Sequence, residues 1–194
     1  MASVVSNAVG LSASQRAAAE VIEREMTAAG IPPTVIAAAI VNAWAESRLT
    51  PTAIAQEKSG GVSVGLFQLY DRGLGHGMSV ADRQDPATNT RVVIRAYQKM
   101  GGPIASAAAS GASIGDLAAL WCKVIENPAS STAKGLERKA YALRIFPNGL
   151  NMPLWVRGTD APAARVSSSP GLLVSAILAT TLLVGVALWR RRSP

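Results

Sequence analysis

Among the 12 acidic side chains of this 194-residue chain, Glu46 has the setting that a proton donor needs. It lies at the end of the most apolar helical stretch, Thr34 to Ser47, two residues after Trp44. Removing a carboxyl group from water disfavours its charged form, and the negative end of a helix works in the same direction. Both effects predict an acid that keeps its proton near neutral pH, as general acid cleavage of a glycosidic bond requires. A hydrolase working with two carboxylates needs a partner across the bond. Glu57 and Asp71 are the candidates in the sequence, and each reads more simply as a solvated loop acid. Further on, Gly65-Leu66-Phe67-Gln68 combines a glycine that permits close backbone approach with amides that donate and accept hydrogen bonds.

Other chemistries find little support. His76 is the single histidine, in Gly-Leu-Gly-His-Gly, without a ligand set around it, so no metal is expected. Cys122 is the single cysteine, which excludes an internal disulfide framework. Its helical setting reads as a small buried hydrophobe rather than a reactive thiol. No Ser/His/Asp or Cys/His arrangement and no phosphate-cradling glycine loop can be defended, and no cofactor is expected. The net charge of +7 is unevenly placed. Residues 1–150 hold 14 Lys/Arg against 11 Asp/Glu, while Arg190, Arg191 and Arg192 supply three charges near the C-terminus. A nucleic-acid protein would gather its charge on the folded domain, so no nucleic-acid partner is expected. A mildly basic domain suits an anionic polymer.

The elements that must position Glu46 are mostly helices. Residues 12–29 read as an amphipathic helix with Ser12 or Ser14 as cap and Gly30 as stop. Residues 34–47 form a second helix, apolar almost all round and therefore central. Residues 52–70, rich in Gly and Ser with alternating Val62, Val64 and Leu66, predict short extended segments and a small hairpin. Residues 71–84 read as loop. Asp85-Pro86 starts a helix that runs to about Met100, before Gly101-Gly102-Pro103. Ser113 and Asp116 resemble a capping box for a helix to Glu126, stopped by Asn127-Pro128. A last helix covers residues 132–145.

Beyond a linker at 151–170, residues 171–189 read GLLVSAILATTLLVGVALW, without a charge. A helix of that length crosses the hydrocarbon core of a bilayer. Trp189 suits the interface, and the basic tail at 190–194 predicts a cytoplasmic C-terminus with residues 1–170 on the far side. The first twenty residues lack the basic and apolar regions of a signal peptide. An exported domain with a C-terminal span and no signal fits a protein that reaches its membrane by assembly into a virus particle.

Glu46-Ser47, Pro51, Ala53 and Gly65-Leu66-Phe67-Gln68 together resemble the lysozyme-like lytic transglycosylases and goose-type lysozymes. The run Asn42-Ala43-Trp44-Ala45-Glu46-Ser47-Arg48-Leu49, then Ser63 to Leu69, Asp85-Pro86, Asn89 and Glu126-Asn127-Pro128, resembles phage virion peptidoglycan lysins more closely. This covers roughly residues 30–147. The resemblance implies a predominantly helical, lysozyme-like α+β domain over residues 1–150 with a small β-hairpin region, plus the C-terminal transmembrane helix. It implies Glu46 as the catalytic acid, and Ser47, Gly65, Leu66, Phe67 and Gln68 as the substrate-binding segment. The implied activity is cleavage of the MurNAc-GlcNAc bond of peptidoglycan by a membrane-anchored lytic transglycosylase of a phage virion. Alternatives are a hydrolytic muramidase of the same fold or a non-catalytic glycan-binding or structural virion protein. The implied setting is the virion membrane or the host inner membrane, with other virion proteins as further partners. One departure stands out: the Tyr-Asn pair of many lytic transglycosylases has no counterpart, since Tyr97 comes too early and Trp121-Cys122 occupies its place.

Overall fold

Among the described residues, the longest apolar helix becomes the centre of the domain. In the computed structural model, residues 3–126 and 131–150 are described. After a short 3₁₀ turn at Val5–Asn7 comes α1, Ala13–Ala28, closed at its start by a full capping box between Ser12 and Gln15. Helix α2, Pro33–Ser47, begins on Pro33, whose missing N–H costs nothing in a first turn. Val35 to Trp44 are buried without a break. A helix buried on every side must be wrapped by others, and α2 packs against α1 and three later helices. Burying Ile36 and Ile40 contributes about 2 kcal/mol each.

The extended segments form one antiparallel sheet rather than a lone hairpin. Strands β1, Ile54–Gln56, β2, Val62–Val64, and β3, Leu69–Tyr70, lie in the order β1-β2-β3. Ile54 pairs with Val64, and Val64 in turn with Leu69. The turn between β1 and β2 uses Gly61 at φ 91°, where a Cβ would come within 2.4 Å of Asp71 Oδ1.

The stretch expected as loop at 71–84 contains a short helix, α3, Val80–Gln84, capped by the Ser79 side chain. Helix α4, Pro86–Met100, starts where the Asp85-Pro86 pair predicts, with the Asp85 carboxylate accepting from Thr88 N. Gly101-Gly102-Pro103 ends α4 and immediately starts α5, Gly102–Ala109, with the proline in its first turn. Helix α6, Ile114–Trp121, begins on the Ser113 cap. It does not run on as an α-helix to Glu126, because Cys122–Glu126 forms a π turn. Helix α7, Ser131–Ile145, completes the bundle and lies along α6 and α2. Among the described residues no helix is long and apolar enough to cross a membrane. The span predicted at 171–189, with its linker and tail, lies outside the described residues, as does the Asn127-Pro128 stop.

Candidate active site

Glu46 opens onto a cavity of about 610 Å³ between the helices and the sheet. That volume is in the range that holds a small ligand. The helical wall includes Trp121, Ile125 and Glu126, and the sheet wall includes Ala55, Glu57 and Tyr70. Phe67 and Gln68 complete the lining. Of the segment expected opposite Glu46, Phe67 and Gln68 thus line the same cavity as that carboxyl group.

The two walls are joined by Ser47. Its buried hydroxyl lies 2.8 Å from Leu66 O and 3.0 Å from Ala43 O, and it accepts from Thr50 N. Leu66 and Gly65 are not in the cavity lining either. Leu66 is fully buried. Gly65 has φ 85°, and a Cβ there would stand 2.1 Å from Arg83 O and 2.2 Å from Asn89 Nδ2. Of the segment assigned to substrate, Phe67 and Gln68 reach the cavity, while Ser47, Gly65 and Leu66 build its frame.

Asn89 holds that frame from α4. It is fully buried, accepts from Phe67 N at 3.1 Å, and donates to Arg83 O at 2.6 Å and Val64 O at 3.2 Å. Arg83, buried on α3, donates to Val62 O and Leu69 O at 2.8 and 3.0 Å. Buried backbone groups need such partners, and here two side chains supply them for strands too short to do so alone.

The helical wall holds a charge cluster that the sequence did not announce. Arg138 of α7 is 2% exposed. Its Nη2 donates to Glu46 and, at 3.1 Å, to Glu126, while its Nη1 lies 3.4 Å from Glu137. Its Nε donates to the fully buried Asn42 at 3.0 Å, and Asn42 donates in turn to Ala38 O and Ala118 O. The sequence predicts an apolar setting for Glu46; in the structure the Arg138 guanidinium stands against it. Burial pushes Glu126 up to about 7, helped by the negative charge of Glu46 and opposed by Arg138. The π turn contributes, since its i→i+5 spacing brings Glu126 round to the side of Trp121.

The remaining candidates separate cleanly. Glu57 lines the cavity and accepts from the Ser63 hydroxyl. Asp71 instead accepts from Val62 N at 3.1 Å and closes the sheet. Tyr97 stacks on Trp121 with ring centroids 5.8 Å apart, a packing role. Cys122 is fully buried, and burial foremost, with the charge of Glu126, pushes its thiol up to about 12. His76 is exposed. Backbone strain also gathers here: among the described residues only Arg48, Leu49 and Gln68 have positive φ without being glycine. The first two end α2 just past Glu46, held by burial of Leu49 and by the Arg48 guanidinium 3.7 Å over the Trp44 ring.

A helical domain with a small sheet, and a cleft between them bearing acids on both walls, defines an α+β protein. The model of the phage tail lysozyme family matches residues 17–148, more than half of the chain. The chain belongs to that family, and is a lysozyme-like, peptidoglycan-cleaving enzyme of phage. No curated protein and no solved structure gives a significant match.

Proposed function

We propose that this enzyme cleaves the β-1,4 bond between MurNAc and GlcNAc, with Glu46 giving its proton to the glycosidic oxygen. The observation that carries the reading is the shared cavity: Glu46, Phe67, Gln68 and Glu57 line one space. As the C1–O bond breaks, the leaving sugar takes the proton from Glu46, and a nucleophile must reach C1. Glu57 supports hydrolysis, because a carboxylate in the sheet wall is available to take a proton from water as its oxygen attacks C1. Lys134, also in the lining, offers a cation to the lactyl or peptide carboxylates of the muramyl residue.

A second reading keeps the non-hydrolytic route favoured by the sequence. Glu57 is exposed and already engaged by Ser63, which leaves room for the muramyl C6 hydroxyl as nucleophile. That hydroxyl would attack C1 and return its proton to Glu46, giving a 1,6-anhydro sugar. In this setting the predicted span at 171–189 anchors the domain to a membrane, and the enzyme opens the cell wall during genome delivery. The deciding experiment is zymography of wild type, Glu46→Gln and Glu57→Gln on sacculi, with mass spectrometry of the released muropeptides. Loss of clearing in Glu46→Gln is expected, and equal clearing would refute the acid role. Hydrated ends that vanish in Glu57→Gln support hydrolysis; anhydro ends that survive it support the second route.

A further inference from the structure

We propose that Arg138 and Glu126 are positioning residues that set the proton on Glu46: Glu126 supplies the carboxylate that Arg138 requires, leaving Glu46 able to hold the proton it delivers. This inference rests on the reading of Glu46 as the acid, and concerns how that same site is charged.

The geometry carries it. One nitrogen, Nη2 of Arg138, donates to both Glu46 and Glu126, so the two accepting oxygens lie within about 6 Å of each other. The two acids thus stand on one guanidinium in the same helical wall, rather than on opposite walls of the cleft. The guanidinium cannot lose its proton, and Asn42 fixes its Nε from within the core. The buried part of the cluster therefore contains one permanent positive charge and two carboxyl groups; the third carboxylate on Arg138, that of Glu137, is 47% exposed at its side chain and screened by water. With both ionised it carries a net negative charge in a largely buried place, which costs free energy; with one proton bound it is balanced. Two carboxyl groups sharing one cation and one proton titrate as a pair.

The two sites differ in what surrounds them. Glu46 is 21% exposed at its side chain and faces the cavity, while Oε1 of Glu126 is buried and, among the described residues, meets no hydrogen-bond donor stronger than the Cys122 thiol beside this carboxyl group. Such an oxygen is poorly served as an anion, in agreement with the raised pKa of Glu126. In the free enzyme burial favours the proton on Glu126, while the Arg138 guanidinium stands against Glu46. A sugar that covers Glu46 strips its remaining water. The proton released by Glu126 then reaches Glu46 by way of a water in the cleft as the sugar arrives, and Arg138 keeps its balance on the newly ionised Glu126. No charge enters or leaves. The other ionisable groups near Glu126 are Cys122 on its own turn, and Lys134 of α7 and Glu57, which line the same cavity; Glu137 of α7 meets Arg138 and Tyr141 instead. Helix α4 turns Tyr97 towards Trp121, while its Arg91 and Arg95 are exposed.

The test is the pH profile of peptidoglycan cleavage by the full chain carrying Glu126→Gln. Glutamine keeps the shape but cannot become an anion, so Arg138 is left with Glu46 as its carboxylate within the cleft. Cleavage rate at saturating sacculi should fall by about tenfold or more while sacculus binding is retained. The alkaline limb of the profile should move down by about one pH unit. Adding Arg138→Met to Glu126→Gln removes the cation that holds Glu46 ionised, and should return the limb to wild type or above. A merely structural role would instead make the double variant worse. A Glu126→Gln profile superimposable on wild type overturns the proposal, as does a folded double variant that regains nothing. If the double variant does not fold, the single-variant profile decides alone. Glu46→Gln separates the two claims: its full activity would refute the acid reading itself, whereas its inactivity beside an unchanged Glu126→Gln refutes only this inference.

Discussion

Replacing Asn89 by alanine should damage the enzyme without touching substrate. The side chain is fully buried and makes three hydrogen bonds to backbone groups of three different segments. Each such bond contributes about 1 kcal/mol net, and a partner left dry costs more than that. Phe67 N–H and the carbonyls of Arg83 and Val64 would all lose Asn89, a loss of about 3–5 kcal/mol. Against a total stability of about 5–15 kcal/mol this is a large fraction. For a domain of this size it lowers the melting temperature by about 10 °C. Phe67 lines the cavity directly after the segment that Asn89 pins, so activity should fall even far below the melting point. Circular dichroism melts of wild type, Asn89→Ala and Asn89→Asp, with cleavage assays at 20 °C below the lower midpoint (roughly), measure both effects. Aspartate keeps an acceptor for Phe67 N–H but turns an oxygen towards two carbonyls, so it should be no better than alanine. An alanine variant melting within about 2 °C of wild type would refute the reasoning.

Gly65→Ala should prevent the native cleft from forming, because its Cβ meets Arg83 O and Asn89 Nδ2 at 2.1 and 2.2 Å and φ is 85°. A variant with wild-type melting and wild-type cleavage would show that the segment does not need this close approach. Cys122 should resist a thiol reagent in the native protein at pH 8 and react once the chain is unfolded, since burial raises its thiol to about 12. Rapid labelling of native protein, followed by absorbance of the released thiolate, would contradict that.

The helices that carry their own punctuation were legible in the sequence. Ser12 with Gln15, Pro32-Pro33, Asp85-Pro86 and Ser113 each state locally where a helix begins. Helix α5 was missed because Gly101-Gly102-Pro103 carries two meanings, ending one helix and starting another. Helix α3 is only five residues long and too short to show a period. Helix α7 lies where the sequence predicts it, over 132–145, but which of its faces turns inward was not legible. Its leucines at 136 and 143 are 65% and 71% exposed, while Arg138 is buried. The inward face runs through Gly135, Arg138, Ala142 and Ile145, a helical period in which a charge takes a core position. Hydrophobic patterning reads such a helix from the wrong side. A better signal was Asn42, a polar residue in the middle of the apolar run from Val35 to Ala45, which must find hydrogen-bond partners when buried.

Those partners give the site its logic. Each wall of the cleft is set by one buried asparagine working with one buried arginine. Asn42 orients Arg138, which gathers Glu46 and Glu126 on the helical side. Asn89 bonds the backbone of Arg83, and together they hold β2, β3 and Phe67 on the sheet side. Asparagine suits both places because one amide donates and accepts at once, and arginine because its donors point in several fixed directions. A direct side-chain link between the walls runs through the Ser47 hydroxyl to Leu66 O, one residue after the acid. The residues that recognition by sequence assigns to substrate are thus partly the joints of the cleft, and the charge that governs Glu46 comes from a helix 92 residues further along the chain.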